Sequence, residues 1–147
     1  MQTLTVPQGA FALARYPLRA NDPFRAWDSA DEYLLDHLHA EGLPARDSSV
    51  LILNDGCGAL AAALATYRPQ SLSDSHLAHR AALANARHNH LDPNDLRLVA
   101  GLDEPTGPLD LVVCKIPKIL ALFQDQLHRI RPHLQPHTRF VGAGMVR

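Results

Sequence analysis

Apolar residues follow two different spacings along the chain. Short all-apolar runs are typical of strands covered on both faces, and repeats every three to four positions indicate amphipathic helices. The first pattern predicts strands at 50–53 and, with one polar residue, at 109–114, and the alternation of strands with helices adds strands at 70–73, 96–100 and 138–141. The second predicts helices from 28 or 29 to 42, from 59 to about 67, from 75 to 89 and from 117 to about 131.

Strands that alternate with helices of about ten or more residues imply crossover connections and a parallel sheet. The sequence therefore predicts a single α/β domain over residues 1–147, doubly wound, with a Rossmann-like core at 27–147. Residues 1–26 contain three prolines among short apolar runs, so we expect an irregular arm with a short strand or two.

Two of the helices carry further signals. Ser29 and Glu32 have the spacing of a capping box, which places the start of the first helix. At the head of that helix we expect Trp27 and Tyr33 in the core, with stacking on RNA bases as the alternative. In the last helix one apolar stripe contains Leu120, Phe123, Leu127 and Ile130.

Composition excludes several classes of protein. The 14 Lys and Arg against 15 Asp and Glu give a net charge of −1, so any contact with nucleic acid must be local. No apolar stretch approaches the roughly 20 residues of a membrane span. With two cysteines and no secretory signal, we expect a cytoplasmic protein. Because no group of histidines and cysteines has the spacing of a zinc site, we expect no bound metal.

The candidate chemistry lies where the strands end, because ligands of such sheets bind outside the carboxyl ends. Gly56 and Gly58 form a strand-to-helix turn that allows close approach of a ligand, and Asp74 follows the next strand, where a carboxylate can bind a ribose. Together they are the two halves of a nucleoside site. The alternative is structural, with glycines that only turn the chain and an Asp74 that caps the following helix.

The run 51–60, Leu-Ile-Leu-Asn-Asp-Gly-Cys-Gly-Ala-Leu, resembles the first motif of class I S-adenosylmethionine (SAM) dependent methyltransferases. Asp74 matches the ribose-binding acid of that family. With segments 25–35 and 115–122, the chain resembles the N-terminal domain of bacterial ribosomal RNA guanine-N2 methyltransferases, the large-subunit (23S) enzyme first and its small-subunit (16S) relative next. The resemblance implies a class I methyltransferase fold with about five strands in the order 3-2-1-4-5.

Members of that family contain two methyltransferase-like domains, and the C-terminal copy is the active one. The resemblance implies that this chain corresponds to the first copy, without the catalytic C-terminal domain. Because residues 142–147 match a point inside the family's first domain, we expect a truncated fragment that lacks the C-terminal part of the fold. It further implies SAM as the parent's cofactor, with ribosomal RNA and the C-terminal domain as partners.

Departures from the family pattern predict a degenerate site. Asn54 replaces the acidic residue of the first motif, and Leu60 replaces its third glycine. The vestigial cofactor site would consist of Asp55, Gly56, Gly58 and Asp74, and we expect it to bind no SAM. Residues 115–118, Lys-Ile-Pro-Lys, stand where base methyltransferases have Asn or Asp, two prolines and an aromatic residue. Since an ammonium group cannot accept from an exocyclic amine, we expect no catalysis by this domain.

The lysines of that segment have two interpretations. Either they form a local RNA-binding patch together with arginines of the arm, or they pair with Asp55 or Asp74 across the cofactor cleft. The patch would contain Lys115, Lys118, Arg15, Arg19 and Arg25. The resulting hypothesis is a non-catalytic domain that supports the catalytic domain and positions ribosomal RNA. The alternatives are a small active SAM-dependent methyltransferase and a protein-interaction scaffold.

Overall fold

Five parallel strands form the central sheet of the computed structural model, which describes residues 1–145. They are β3 (Val50–Leu53), β4 (Gln70–Ser73), β5 (Arg97–Ala100), β6 (Leu109–Lys115) and β7 (Leu134–Ala143). Their spatial order is β5-β4-β3-β6-β7, with all neighbours parallel. Numbered within the sheet, this is the order 3-2-1-4-5, so the predicted α/β fold is confirmed.

The helices are α1 (Ser29–Glu41), α2 (Ala59–Ala63), α3 (His76–His88) and α4 (Leu120–Ile130). The predicted helix from 59 to 67 breaks in two, since α2 ends at Ala63 and a separate 3-10 turn spans Ala65–Tyr67. Residue 117 is also too early a start for α4, which begins at Leu120. Among residues 1–145, no helix is long and apolar enough to cross a membrane.

The cap of α1 differs from the prediction. Asp28 is the N-cap and Asp31 the reciprocal partner, so the expected Ser29 and Glu32 box is wrong by one position. The Asp28 carboxylate accepts from the backbone N–H groups of Ala30 and Asp31. The pairs Asp28/Asp31 and Ser29/Glu32 both have the capping-box spacing. The salt bridges of Asp28 and Asp31 with Lys115 favour the Asp28/Asp31 pair.

Two apolar layers cover the sheet, and β3 shows why its run of four apolar residues is buried throughout. Val50 and Ile52 pack into the layer that contains the leucines of α1, whereas Leu51 and Leu53 pack with Ile130 of α4. Trp27 is buried in the first layer as expected. Tyr33 is 62% exposed, so the prediction of a core position is wrong for that residue.

Part of the N-terminal arm is regular. Strands β1 (Gln2–Val6) and β2 (Gly9–Leu13) form an antiparallel hairpin, and its Leu4 and Leu13 are buried against the α1 side of the sheet. The arm then runs along α3, held by side-chain amides. Asn89 exchanges two hydrogen bonds with the backbone of Ala12, and Asn85 does the same with Ala14. These asparagines supply the donors and acceptors that a neighbouring strand would otherwise provide.

Replacement of Asn85 with alanine should release the arm. The Asn85 side chain is buried and also donates to the backbone carbonyl of Cys57, so the change leaves three backbone groups without a partner. We expect a loss of about 2–3 kcal/mol in the free energy of unfolding and faster hydrogen exchange at 12–16. Asn94→Ala is the control, because the side chain of Asn94 lies on an exposed turn. Equal losses in the two variants would contradict this account of the arm.

Candidate functional site

The turn after β3 forms the centre of the candidate site, and its Asp55 is directed into the protein. The Asp55 carboxylate is buried and accepts from the backbone N–H groups of Leu60, at 3.3 Å, and Ala61, at 3.0 Å. These are free N–H groups of the first turn of α2. Burial raises the pKa of Asp55 despite these hydrogen bonds. The carboxylate is thus engaged in holding the turn to α2.

The two glycines of the turn have different environments. Gly56 is exposed, and a Cβ built there would lie 3.8 Å from Nζ of Lys115. Gly58 is buried with a φ of +90°, and a Cβ there would lie 2.6 Å from Cα of Ala82. Close packing of α3 on the turn therefore requires a glycine at position 58 whether or not a ligand binds.

Asp74 lies at the edge of the sheet directly after β4, with its side chain exposed. The adjacent Ser75 is the N-cap of α3, and its hydroxyl accepts from the backbone N–H of Ala78. The structural alternative, in which Asp74 caps that helix, is wrong. Its role in ribose binding stays a prediction.

Asn54, at the position of the family's acidic residue, is held by hydrogen bonds on the α4 side of the sheet. Its amide exchanges two hydrogen bonds with Gln126 of α4, at 2.7 and 2.8 Å, and also donates to the backbone carbonyl of Lys115. Gln126 is 1% exposed. Sequence reasoning missed Gln126. A polar residue within the apolar spacing of α4 was the available signal.

Lys115 ends β6 and forms the main charged contact of the site. Its ammonium donates to the carboxylates of Asp28 and Asp31, with both Nζ–Oδ2 distances at 3.1 Å. The predicted partners were Asp55 or Asp74, and that pairing is wrong because Lys115 reaches the start of α1 instead. The two acids of the capping box are thus the functional neighbours that the sequence did not identify.

Burial sets the charges of this group. The Lys115 side chain is 16% exposed and that of Asp31 is 2% exposed. Burial raises the pKa of Asp31 to about 6, against the opposing charge of Lys115 and with support from the charge of Asp55. Burial also disfavours the ammonium, but the charges of Asp31 and Asp28 outweigh it and raise the pKa of Lys115. The Lys115 ammonium is thus shared by the two carboxylates of Asp28 and Asp31.

A cleft of about 420 Å³ opens beside this ion pair, between the start of α1 and the ends of β6 and β7. Its lining combines charged with small and apolar residues: Asp28, Ala30, Asn54, Lys115, Ile116, Pro117, Lys118, Ala143, Gly144 and Met145. Within residues 1–145, no cluster of three or more His, Cys, Asp or Glu could hold a metal ion.

Comparisons with known proteins place the chain in a family. The model of the RLMG N-terminal domain matches residues 1–147. The chain belongs to this family. It is 46% identical over 149 residues to ribosomal RNA large subunit methyltransferase G of Streptomyces griseus, and 44% identical over 148 residues to the protein of that name from Ectopseudomonas mendocina. In both cases the match covers 100% of this chain and 39% of the relative.

Solved structures confirm the methyltransferase fold at low identity. Precorrin 8w decarboxylase from Methanobacterium thermoautotrophicum has a TM-score of 0.66 at 19% identity, covering 86% of this chain and 69% of that chain. Ribosomal protein L11 methylase from Lactobacillus delbrueckii has a TM-score of 0.62, also at 19%, covering 77% of this chain and 58% of the other.

The five predicted RNA-binding residues have different local surroundings. Lys115 and Lys118 line the cleft, and only Lys118 is exposed. Arg15 and Arg19 line a different pocket beside the arm, where Arg15 lies 3.3 Å from Asp22. Arg25 lies 3.5 Å from Glu32 and over the ring of Trp27. RNA binding by these five residues, together or singly, stays a prediction.

Proposed function

We propose that this chain is the non-catalytic, degenerate domain of a ribosomal RNA large-subunit methyltransferase. In this proposal the longer protein uses SAM to methylate a guanine at N2 in the cytoplasm, and this domain supports the catalytic domain and positions the RNA. The names and lengths of the relatives support the assignment of the parent, since the chain spans 39% of their length.

The observation that carries the proposal is the position of the Lys115 ammonium. It lies beside Gly56, at the turn where the family motif places the cofactor, and two acids already neutralise it. The methionine end of SAM carries its own ammonium and would compete with Lys115 for these carboxylates. With Asp55 also engaged by α2, the residues present do not fit SAM.

The position after β6 gives independent support. A base methyltransferase needs an acceptor for the exocyclic amine and a ring that stacks on the base. Here the Lys115 side chain only donates, its backbone carbonyl accepts from Asn54, and Ile116 and Lys118 offer no ring. We therefore assign no residue of this chain to methyl transfer.

A supporting role agrees with the exposed apolar side chains close to the cleft. Ile116 and Met145 line it and are 41% and 49% exposed, and Ile119 and Leu120 follow at 66% and 65%. Contact with the catalytic domain would remove this apolar area from water and stabilise both domains.

Calorimetric titration of SAM into the chain tests the proposal. We expect no saturable heat up to about 1 mM cofactor, because binding would require Lys115 to leave its carboxylates. Circular dichroism of the same sample establishes that the titrated protein is folded. Asp74→Ala is titrated alongside, since Asp74 is the one predicted cofactor residue with an exposed carboxylate.

Tight binding that Asp74→Ala abolishes would overturn the proposal. The domain would then carry its own cofactor site, as a small active SAM-dependent methyltransferase does. Tight binding that survives the substitution would overturn it equally, with a site elsewhere in the chain.

A further inference from the structure

Acidic residues are absent from two stretches of the sequence. Residues 1–21 contain Arg15 and Arg19 and no Asp or Glu, and residues 75–91 contain Arg80 and Arg87, four histidines and no Asp or Glu. The remainder of the chain has ten Lys and Arg against its full fifteen acids. The net charge of −1 is therefore unevenly distributed, with a positive charge on these two stretches and a negative charge on the remainder.

The fold brings the two acid-free stretches side by side. Asn89 and Asn85 hold Ala12 and Ala14 against α3, and one turn further along Arg80 donates to the hydroxyl of Tyr16 at 2.9 Å. The guanidinium of Arg80 also stacks over the Tyr16 ring, 5.1 Å from its centre. The arm and the helix thus form one continuous surface.

The basic side chains of α3 are exposed along that surface. Its buried side consists of small residues and Asn85, whereas His76, Arg80 and Arg87 are exposed at spacings of four and seven, on one stripe. Arg80 and Arg87 are about 10 Å apart along the helix axis. Arg19 is exposed on the arm, and Arg15 lines the same pocket, where it pairs with Asp22 at 3.3 Å.

We propose that Arg15, Arg19, Arg80 and Arg87, the basic face, bind the phosphate backbone of RNA. The inference rests on the proposed function and assigns the RNA contact to α3 and the arm. Arginine binds phosphate with two parallel N–H groups, and an arginine stacked on a tyrosine presents planar surfaces to unpaired bases. The acid-rich remainder repels phosphate and limits RNA to this face.

Fluorescence anisotropy with a labelled single-stranded RNA of about 20 nucleotides tests the inference, at several salt concentrations. Four phosphate contacts should give a slope of about −3 in a plot of log affinity against log salt. Arg80→Glu/Arg87→Glu should lower the affinity at least about tenfold and halve the slope. Arg80→Lys/Arg87→Lys keeps both charges and should retain most of the slope, which separates charge from a structural effect.

Arg46→Glu/Arg131→Glu is the matched control, because both side chains are exposed and the net charge changes by the same amount. An equal loss in this control would overturn the inference, since total charge alone would then explain binding. A loss on Lys118→Glu without one on Arg80→Glu/Arg87→Glu would also overturn it, and would leave RNA positioning to the cleft. RNA binding that does not weaken with salt, or that polyglutamate displaces at equal charge concentration, would overturn the assignment to RNA phosphate.

Discussion

Lys115→Ala should destabilise the domain by about 3 kcal/mol at neutral pH, because it leaves the Asp31 carboxylate buried without its cation. Asp31 is 2% exposed, and one of its oxygens already lacks a hydrogen-bond partner. Asp28 loses the same ammonium, but water solvates its half-exposed carboxylate and reduces that part of the effect. Chemical denaturation of both proteins measures the difference.

The loss should depend on pH in a defined direction. Burial holds the pKa of Asp31 at about 6 in the folded chain, above its ordinary value of 3.8. Its protonation therefore favours folding fully below about pH 4, and this contribution is lost as the pH rises through about 6. Without Lys115 the folded carboxylate is still harder to ionise. The free energy of unfolding should then fall more steeply between about pH 5 and about pH 8 than it does in the wild type.

Two variants separate the ion pair from loss of side-chain volume. Lys115→Met/Asp31→Asn removes both charges but keeps similar shapes, and should recover most of the lost stability. Lys118→Ala changes an exposed lysine of the same cleft and should cost less than about 0.5 kcal/mol. If Lys115→Ala were as mild as Lys118→Ala at every pH, the ion pair would not organise the cleft.

Gly58→Ala should cost about 3 kcal/mol or more, without any ligand present. Its φ of +90° is unfavourable for alanine, and the added Cβ would lie 2.6 Å from Cα of Ala82. Because the obstructing atom belongs to the backbone of α3, the clash cannot be relieved by rotation of a side chain. Thermal and chemical unfolding measure the loss.

Gly107→Ala is a control for the positive φ. Gly107 has a φ of +70°, but a Cβ there would have no atom within 4 Å. This variant should cost about 1 kcal/mol, from the backbone conformation alone. The difference between the two variants measures the close approach of α3 to the turn. Equal costs would mean that packing does not require Gly58, and would restore ligand approach as the reason for this glycine.

Local pattern was sufficient for most elements. The strand Val50–Leu53 coincides with the predicted range, since an all-apolar run leaves few alternatives in a sheet covered on both faces, and Gln70–Ser73 coincides although three of its four residues are polar. The predicted end of the second helix failed because Leu64, although buried, sits where the chain leaves α2 for a 3-10 turn. Apolar spacing marks a buried side chain but does not mark such a break.

The sequence by itself determined the α/β class, the strand order implied by the family resemblance, and the position of the turn at 54–58. It could do so because apolar spacing and turn residues act over a few positions. Only the tertiary structure decided which side chains meet. Lys115 contacts acids 84 and 87 positions away, and Gly58 contacts Ala82 of another helix. Such contacts depend on how α1 and α3 are placed on the sheet, and helix placement results from packing of the whole domain rather than from any local pattern.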